Sequence, residues 1–243
     1  MNYRITLAYE GTQYHGWQIQ LGRQSVQGIL SEALCKLARG PVTAHGAGRT
    51  DAGVHAEGQI VSFRLAREWE GLALRRALNG NLPPDIRVLE AAPAPARFHA
   101  RFDAKGKTYR YRIYTGEVMN PFEERYAWHY PFPVDAARVR EAGQQLVGAH
   151  DFSAFTVSSC AVRTHLRTIT DFHLESAGPL LQFYFRGNGF LRYQVRTMVG
   201  ALVAVTRERL EVKSIKDLLV CGNRKLAGAA APAKGLTLIK VEY

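Results

Sequence analysis

Residues 46–55 read Gly46-Ala47-Gly48-Arg49-Thr50-Asp51-Ala52-Gly53-Val54-His55. One carboxylate, Asp51, stands between glycines, with the cation of Arg49 two residues before it and the imidazole of His55 four after it. Glycines admit backbone angles that other residues avoid, and they leave room for a large ligand to approach. A lone acid in such a loop can act as a nucleophile on something bulky, or it can bond its own backbone in a tight turn. Spacing argues against three other chemistries. A phosphate loop needs Gly-Lys-Ser/Thr after its glycines, and Thr50 is followed by Asp51. A dinucleotide fingerprint needs a third glycine at the right step and a following helix. Asp51 and His55 could share a metal, but no further ligand cluster supports them, so no metal site is expected.

Two other groups of residues carry chemical potential. Arg196 sits among Val195, Met198, Val199, Leu202 and Val203, with Val199, Gly200 and Val203 on its own helical face. A guanidinium there must reach water or find an anion. Asp51 is the best isolated candidate for that anion, and a paired aspartate stays ionised, as a nucleophile must. The run Arg97-Phe98-His99-Ala100-Arg101-Phe102 is followed by Lys107-Thr108-Tyr109-Arg110-Tyr111-Arg112. On a strand, Lys107, Tyr109 and Tyr111 share one face and Arg110 and Arg112 the other. Aromatics beside cations suit stacked bases and phosphates, although a half-buried strand with solvated arginines has the same pattern.

The elements that must position these residues follow from periodicity. Alternation predicts a strand over Arg4–Tyr9, and Ser25 caps a helix running to about Leu37. A short strand over Val42–Ala47 leads into the Asp51 loop, and Gln59–Leu65 alternates again. A helix over Leu72–Asn79 and a strand over Ile86–Ala91 complete a strand-helix-strand-strand-helix-strand order, which is ferredoxin-like. Residues 92–106 read as a link. The second half offers a strand at Lys107–Thr115, a helix at Val134–Val147 and a hairpin of Arg167–Glu175 with Leu180–Arg186. It continues with helices at Phe190–Arg207 and Ser214–Val220 and a closing strand at Leu236–Val241. The expected fold class is therefore α+β: two ferredoxin-like (RRM-like) halves, residues 1–104 and 105–243, sharing a mostly antiparallel sheet. Helices would lie on one side of that sheet and a basic cleft on the other.

Composition points to the partner. The 243 residues hold 32 Lys plus Arg against 21 Asp plus Glu, a net charge of +11, and 47% are hydrophobic. A globular chain with cations spread through its folded parts suits a polyanion. Cys35, Cys160 and Cys221 form neither a metal spacing nor a disulfide framework, which fits a reducing cytoplasm. The start Met1–Thr6 lacks the apolar run of a signal peptide, and no stretch approaches membrane-spanning length.

Several segments together resemble the tRNA pseudouridine synthase A family. They are Tyr9-Glu10-Gly11-Thr12, His15-Gly16-Trp17-Gln18, Gly48–Ala56, Asn81-Leu82-Pro83, Phe98–Phe102, Tyr109-Arg110-Tyr111, Asp151-Phe152, and Gly189-Phe190 with Val195-Arg196. They run in family order along essentially the whole chain. Glu10, Gln194 and Lys234 depart from the commonest family residues. The resemblance implies a cofactor-independent isomerase that converts uridine to pseudouridine at positions 38, 39 and 40 of the tRNA anticodon stem-loop, and a homodimer. It implies Asp51 as nucleophile on a flipped-out uridine, Arg196 as its ion partner, Tyr109 stacked on the target base and Arg49 helping to extrude it. His55, Lys107, Arg110 and Arg112 join them as expected tRNA contacts. Charge and aromatics alone equally support a non-enzymatic RNA-binding or tRNA-folding protein. A metal-dependent nuclease using Asp51 is a third class, against which the lack of clustered carboxylates stands.

Overall fold

The structure is a computed structural model, and it describes residues 1–157, 163–206 and 214–243. Cys160 and the predicted helix end at Arg207 lie outside the described residues. The chain divides into two units, Met1–Lys105 with Thr237–Tyr243, and Gly106–Leu236.

The first unit is built in the order β1 (Asn2–Tyr9), α1 (Val26–Ala38), β2 (His45–Gly46), β3 (His55–Arg64), α2 (Gly71–Asn79) and β4 (Ile86–Ala94). Its strands run β4-β1-β3, all antiparallel, with β2 paired to the far part of β3 through His45–Ser62. That is the ferredoxin-like order the periodicity predicts. β10 (Leu236–Glu242) returns to this unit and pairs with the start of β3 in parallel, Thr237 opposite His55. The apolar stripe of α1 buries Val26, Leu30, Ala33 and Leu34, and the Ser25 hydroxyl accepts the Gly28 N–H at 3.2 Å as an N-cap. β3 starts four residues earlier than its alternation suggests. Nearly every residue along it is buried, so a period of two is hard to see. β4 likewise runs on through Pro93 to Ala94, which an edge strand tolerates.

The second unit holds β5 (Gly106–Tyr114), β6 (Trp128–His129), α3 (Ala136–Gln144), β7 (Gly148–Asp151), β8 (Leu166–Ala177), β9 (Leu180–Gly187), α4 (Gln194–Thr206) and α5 (Ile215–Cys221). β5, β9, β8 and β7 are antiparallel neighbours in that order, and β6 pairs with β5 in parallel. Phe172, Phe183 and Phe185 pack between strands and helices, all at most 2% exposed. α4 begins at Gln194 rather than at Phe190. Tyr193 adopts a left-handed backbone at φ 63°, and the Gln194 side chain accepts the Leu191 N–H at 2.8 Å, so the apolar run Phe190–Leu191 enters as a turn.

Candidate active site

The Asp51 loop joins β2 to β3 and lies against the segment Gly11–Trp17. The Trp17 N–H donates to the Thr50 carbonyl at 3.1 Å, the Gly53 N–H to the Tyr14 carbonyl at 3.2 Å, and the Val54 N–H to the Asp51 carbonyl at 3.1 Å. The backbones approach so closely that a Cβ at Gly16, which has φ +84°, would run into the Thr50 carbonyl oxygen. Gly53 turns the loop at φ +77°, a conformation L side chains rarely adopt. The glycines here serve the protein's own packing. Where Gly46 lacks a side chain, the Trp17 indole fills the space, 2.5 Å from where a Cβ would stand.

Beneath the loop runs a buried polar network. Tyr9 and Thr50 share a hydrogen bond between their hydroxyls at 2.8 Å, and Gln59 donates from Nε2 to the Gly48 carbonyl at 2.8 Å. Tyr9 is 4%, Thr50 8% and Gln59 0% exposed. The Gln59 side chain also bonds the Tyr9 hydroxyl. Burial pushes the Tyr9 phenol up to about 12, more than its bonds to Thr50 and Gln59 bring it down, so it stays protonated near neutral pH. Asp51 therefore follows a residue held at both its carbonyl and its side chain. Asp51 itself is half-buried, and Arg49 and Ala52 are exposed.

His55 is 3% exposed, and its Nδ1 accepts the Gly11 N–H at 2.9 Å. Glu10 Oε1 stands 3.2 Å from the same nitrogen, but a nitrogen that accepts from Gly11 has no proton for Glu10. The directed backbone bond decides the tautomer, and His55 ties the Gly11 turn to β3 from inside. Glu10 instead accepts from both the backbone and the hydroxyl of Thr12.

In the second unit, β5 turns Tyr109, Tyr111 and Ile113 inward, while Arg110 and Arg112 on the alternate face are half-buried. Tyr109 is 6% exposed and meets Phe190 edge-on, ring centroids 5.1 Å apart at 82°. Tyr111 donates its hydroxyl proton to the Pro232 carbonyl at 2.8 Å. Arg112 forms an ion pair with Glu123 at 2.6 Å. Lys107 is half-buried at the start of the strand.

Arg196, in the first turn of α4, is half-buried and held at several points. Its Nε donates to the Ala231 carbonyl at 2.8 Å, and the Ala231 N–H returns to the Arg196 carbonyl at 3.0 Å. The guanidinium carbon lies 4.9 Å from the centre of the Tyr193 ring. It also acts on the Tyr111 phenol, which burial pushes upward and the Arg196 charge draws back. A helix with Val199 and Met198 fully buried thus carries a cation whose direction is set by the 229–231 segment. Among the described residues no group of three or more His, Cys, Asp or Glu could hold a metal ion.

Known proteins match this chain along most of its length. The family described as tRNA pseudouridine synthase matches residues 5–103 and 142–243. The chain belongs to the tRNA pseudouridine synthase family. It is 43% identical to the tRNA pseudouridine synthase A of Limosilactobacillus fermentum, across 99% of this chain and 95% of that one. It is 43% identical to that of Methylacidiphilum infernorum, across 100% and 96%. As a family member it is an enzyme, an isomerase of uridine in tRNA. The two matched stretches contain Asp51 with its Tyr9–Thr50–Gln59 support, and Arg196; β5 with Tyr109 falls between them. No helix among the described residues is long and apolar enough to cross a membrane.

The sequence singles out the Asp51 loop and Arg196 as candidates but shows Gln59 only as the start of a strand. A polar amide directly before the mostly apolar run Ile60-Val61-Ser62-Phe63 is the available signal. Tyr9 is legible as the end of an alternating strand, and Trp17 only as part of the resemblance.

Proposed function

We propose that this chain converts uridine to pseudouridine at positions 38, 39 and 40 in the anticodon stem-loop of tRNA, with Asp51 as the nucleophile. The observation that carries this reading is the support of Asp51. The loop has a rigid, buried underside in Thr50, Tyr9 and Gln59, while its acid is half-buried beside the exposed Arg49. A turn residue that only bonds its own backbone would not need such a foundation. The relatives named above act on tRNA by name.

The reaction breaks the bond between uracil N1 and ribose C1′, turns the base and joins C5 to C1′. The C5 proton leaves and N1 gains one, so atoms and oxidation states balance without a redox partner. Asp51 adds either to C1′ or to C6 of the base while the turn takes place. A charged partner keeps such an acid ionised, and Arg196 takes that role in the proposal. Tyr109 supports the target base with its ring. Arg49, exposed beside the acid, helps to hold the base out of the helix, a displacement that costs a few kcal/mol. Lys107, Arg110 and Arg112 supply positive charge toward the RNA backbone, Arg112 in the company of Glu123. His55 contributes from below, by holding the loop. The enzyme works in the cytoplasm as a homodimer and needs no cofactor.

Single-turnover conversion with protein in excess over tRNA tests the assignment. Asp51→Ala and Asp51→Asn are expected to fold and bind tRNA but to form no pseudouridine above background. Substantial conversion by Asp51→Ala removes Asp51 from the mechanism. Loss of conversion only together with loss of folding makes it a turn residue.

A further inference from the structure

His45 of β2, His99 and Phe102 form a run of three rings in the first unit, outside the network beneath Asp51. The His45 and His99 centroids lie 4.7 Å apart at 38°, and those of His99 and Phe102 4.4 Å apart at 33°. The run ends at the surface, where Phe102 is 75% exposed. The Arg101 guanidinium carbon lies 5.7 Å from the Phe102 ring centre.

This exposed ring sits on a braced turn. His99 Nδ1 accepts the backbone N–H groups of Arg101 at 3.1 Å and Phe102 at 3.4 Å. The Asp103 carboxylate accepts the His99 N–H at 2.8 Å, and the Asp103 N–H returns to the His99 carbonyl at 3.1 Å. Deeper in, the Ala100 N–H donates to the Ser62 hydroxyl at 3.0 Å, and the Tyr243 hydroxyl donates to the Ala100 carbonyl at 2.6 Å. Partial desolvation, and then the neighbouring His99, lower the His45 imidazole from its ordinary value.

The surroundings narrow what such a ring can meet. Arg97, Arg101 and Lys105 are exposed within five residues of it, and Arg4 and Arg64 are exposed on the adjoining strands. The neighbouring Asp103 carboxylate is engaged with the His99 N–H. An apolar protein partner would need a continuous apolar patch, whereas here one ring stands among cations. A nucleobase joined to phosphates satisfies both, by its π face and by its charge.

We propose that Phe102, backed by His99 and flanked by Arg101, is a stacking platform for one unpaired base of the tRNA substrate, separate from the base that reacts at Asp51. The proposal rests on the tRNA reading for the identity of the RNA. A fixed aromatic face beyond the reacting centre would orient the substrate without ordering cost at the moment of binding.

The test compares wild type with Phe102→Leu and Phe102→Tyr by fluorescence anisotropy on an unmodified tRNA transcript, a ten-nucleotide oligoadenylate and a blunt RNA duplex. Since Phe102 is largely exposed, both variants should melt within about 2 °C of wild type. Phe102→Leu keeps apolar bulk but loses the π face, and is expected to weaken tRNA and oligoadenylate binding roughly 5- to 150-fold. Phe102→Tyr should stay within about threefold of wild type, and duplex affinity should not change. Wild-type tRNA affinity in Phe102→Leu, or an equal loss on the duplex, overturns the platform. So does a loss that tracks dissociation of a dimer in sedimentation, which would make the ring a contact between copies. Wild-type conversion of uridine is measured in parallel. If it is absent, the functional reading fails, while the affinity ratios still decide the platform.

Discussion

Tyr9→Phe removes one oxygen atom and keeps the ring, so it isolates the buried network under the Asp51 loop. The lost hydroxyl is hydrogen-bonded to Thr50 at 2.8 Å and to the Gln59 side chain. Both partners are buried, at 8% and 0% exposure, and water cannot replace the oxygen without opening the sheet. Turning the Gln59 amide over would not help, because Nε2 already holds the Gly48 carbonyl and Oε1 has no donor within reach. Leaving buried polar groups without a partner costs about 1–3 kcal/mol. In a chain of this size that lowers the melting temperature by about 2–12 °C. Thr50 then loses its side-chain anchor and keeps only the Trp17 bond to its carbonyl, so Asp51 is less well placed. A misplacement on the order of 1 Å can cost about 100-fold in rate, so single-turnover conversion should fall by roughly 10- to 100-fold. Affinity for tRNA should stay within about twofold, because Tyr9 is only 4% exposed. The assay is a double-mutant cycle with Thr50→Val, read by denaturant unfolding and by conversion. If the hydroxyls support each other, the two changes should couple by about 1 kcal/mol or more. Additive losses, or a Tyr9→Phe protein as stable and active as wild type, would refute the reasoning.

Arg196→Lys keeps the charge but loses the bond from Nε to the Ala231 carbonyl, and should cost about 1–3 kcal/mol of stability along with most of the turnover. Normal unfolding and conversion would show that the guanidinium fork is dispensable. Tyr109→Ala should lower stability by about 3–5 kcal/mol, since the ring is buried against Phe190. Tyr109→Phe is therefore the informative variant. It should fold like wild type, and any fall in its single-turnover rate measures the hydroxyl; equal rates assign Tyr109 to packing and stacking alone. At alkaline pH the folded Tyr9 titrates at about 12 against 10.0 when unfolded, so its contribution is complete below pH 10 and is lost as pH rises through 12. Tyr14, Tyr111 and Tyr243 are raised as well, each chiefly by burial. The unfolding midpoint should drop steeply above pH 10, less so in Tyr9→Phe, with a late tyrosinate class in the absorbance titration. Ionisation of every tyrosine near pH 10 with the fold intact would contradict this.

Much of this molecule can be read from neighbours in the chain. Ser25 and the spacing of Val26, Leu30, Ala33 and Leu34 determine a capped helix, because a cap and a helical stripe are set by residues three and four apart. The alternation of β1 and β5 determines strands in the same local way, and it assigns Tyr109 and Tyr111 to one face and Arg110 and Arg112 to the other. The glycine-rich stretch around Asp51 marks a loop, and the ordered motifs around it mark the family.

Tertiary structure decided what those residues touch. Tyr9 meets Thr50 across 41 positions and Arg196 meets Ala231 across 35. β10 pairs with β3 although some 180 residues separate Thr237 from His55, which no local pattern could announce. His55 reads as a ligand of the substrate from its place beside Asp51, yet the fold turns its ring inward to Gly11, because that turn's N–H is buried and needs an acceptor. Likewise the loop glycine at Gly46 reads as open space for a ligand until Trp17 occupies it. Periodicity determines which side of an element is buried. Which buried polar groups find each other depends on the path of the whole chain, and that path gives the Asp51 loop its rigid underside.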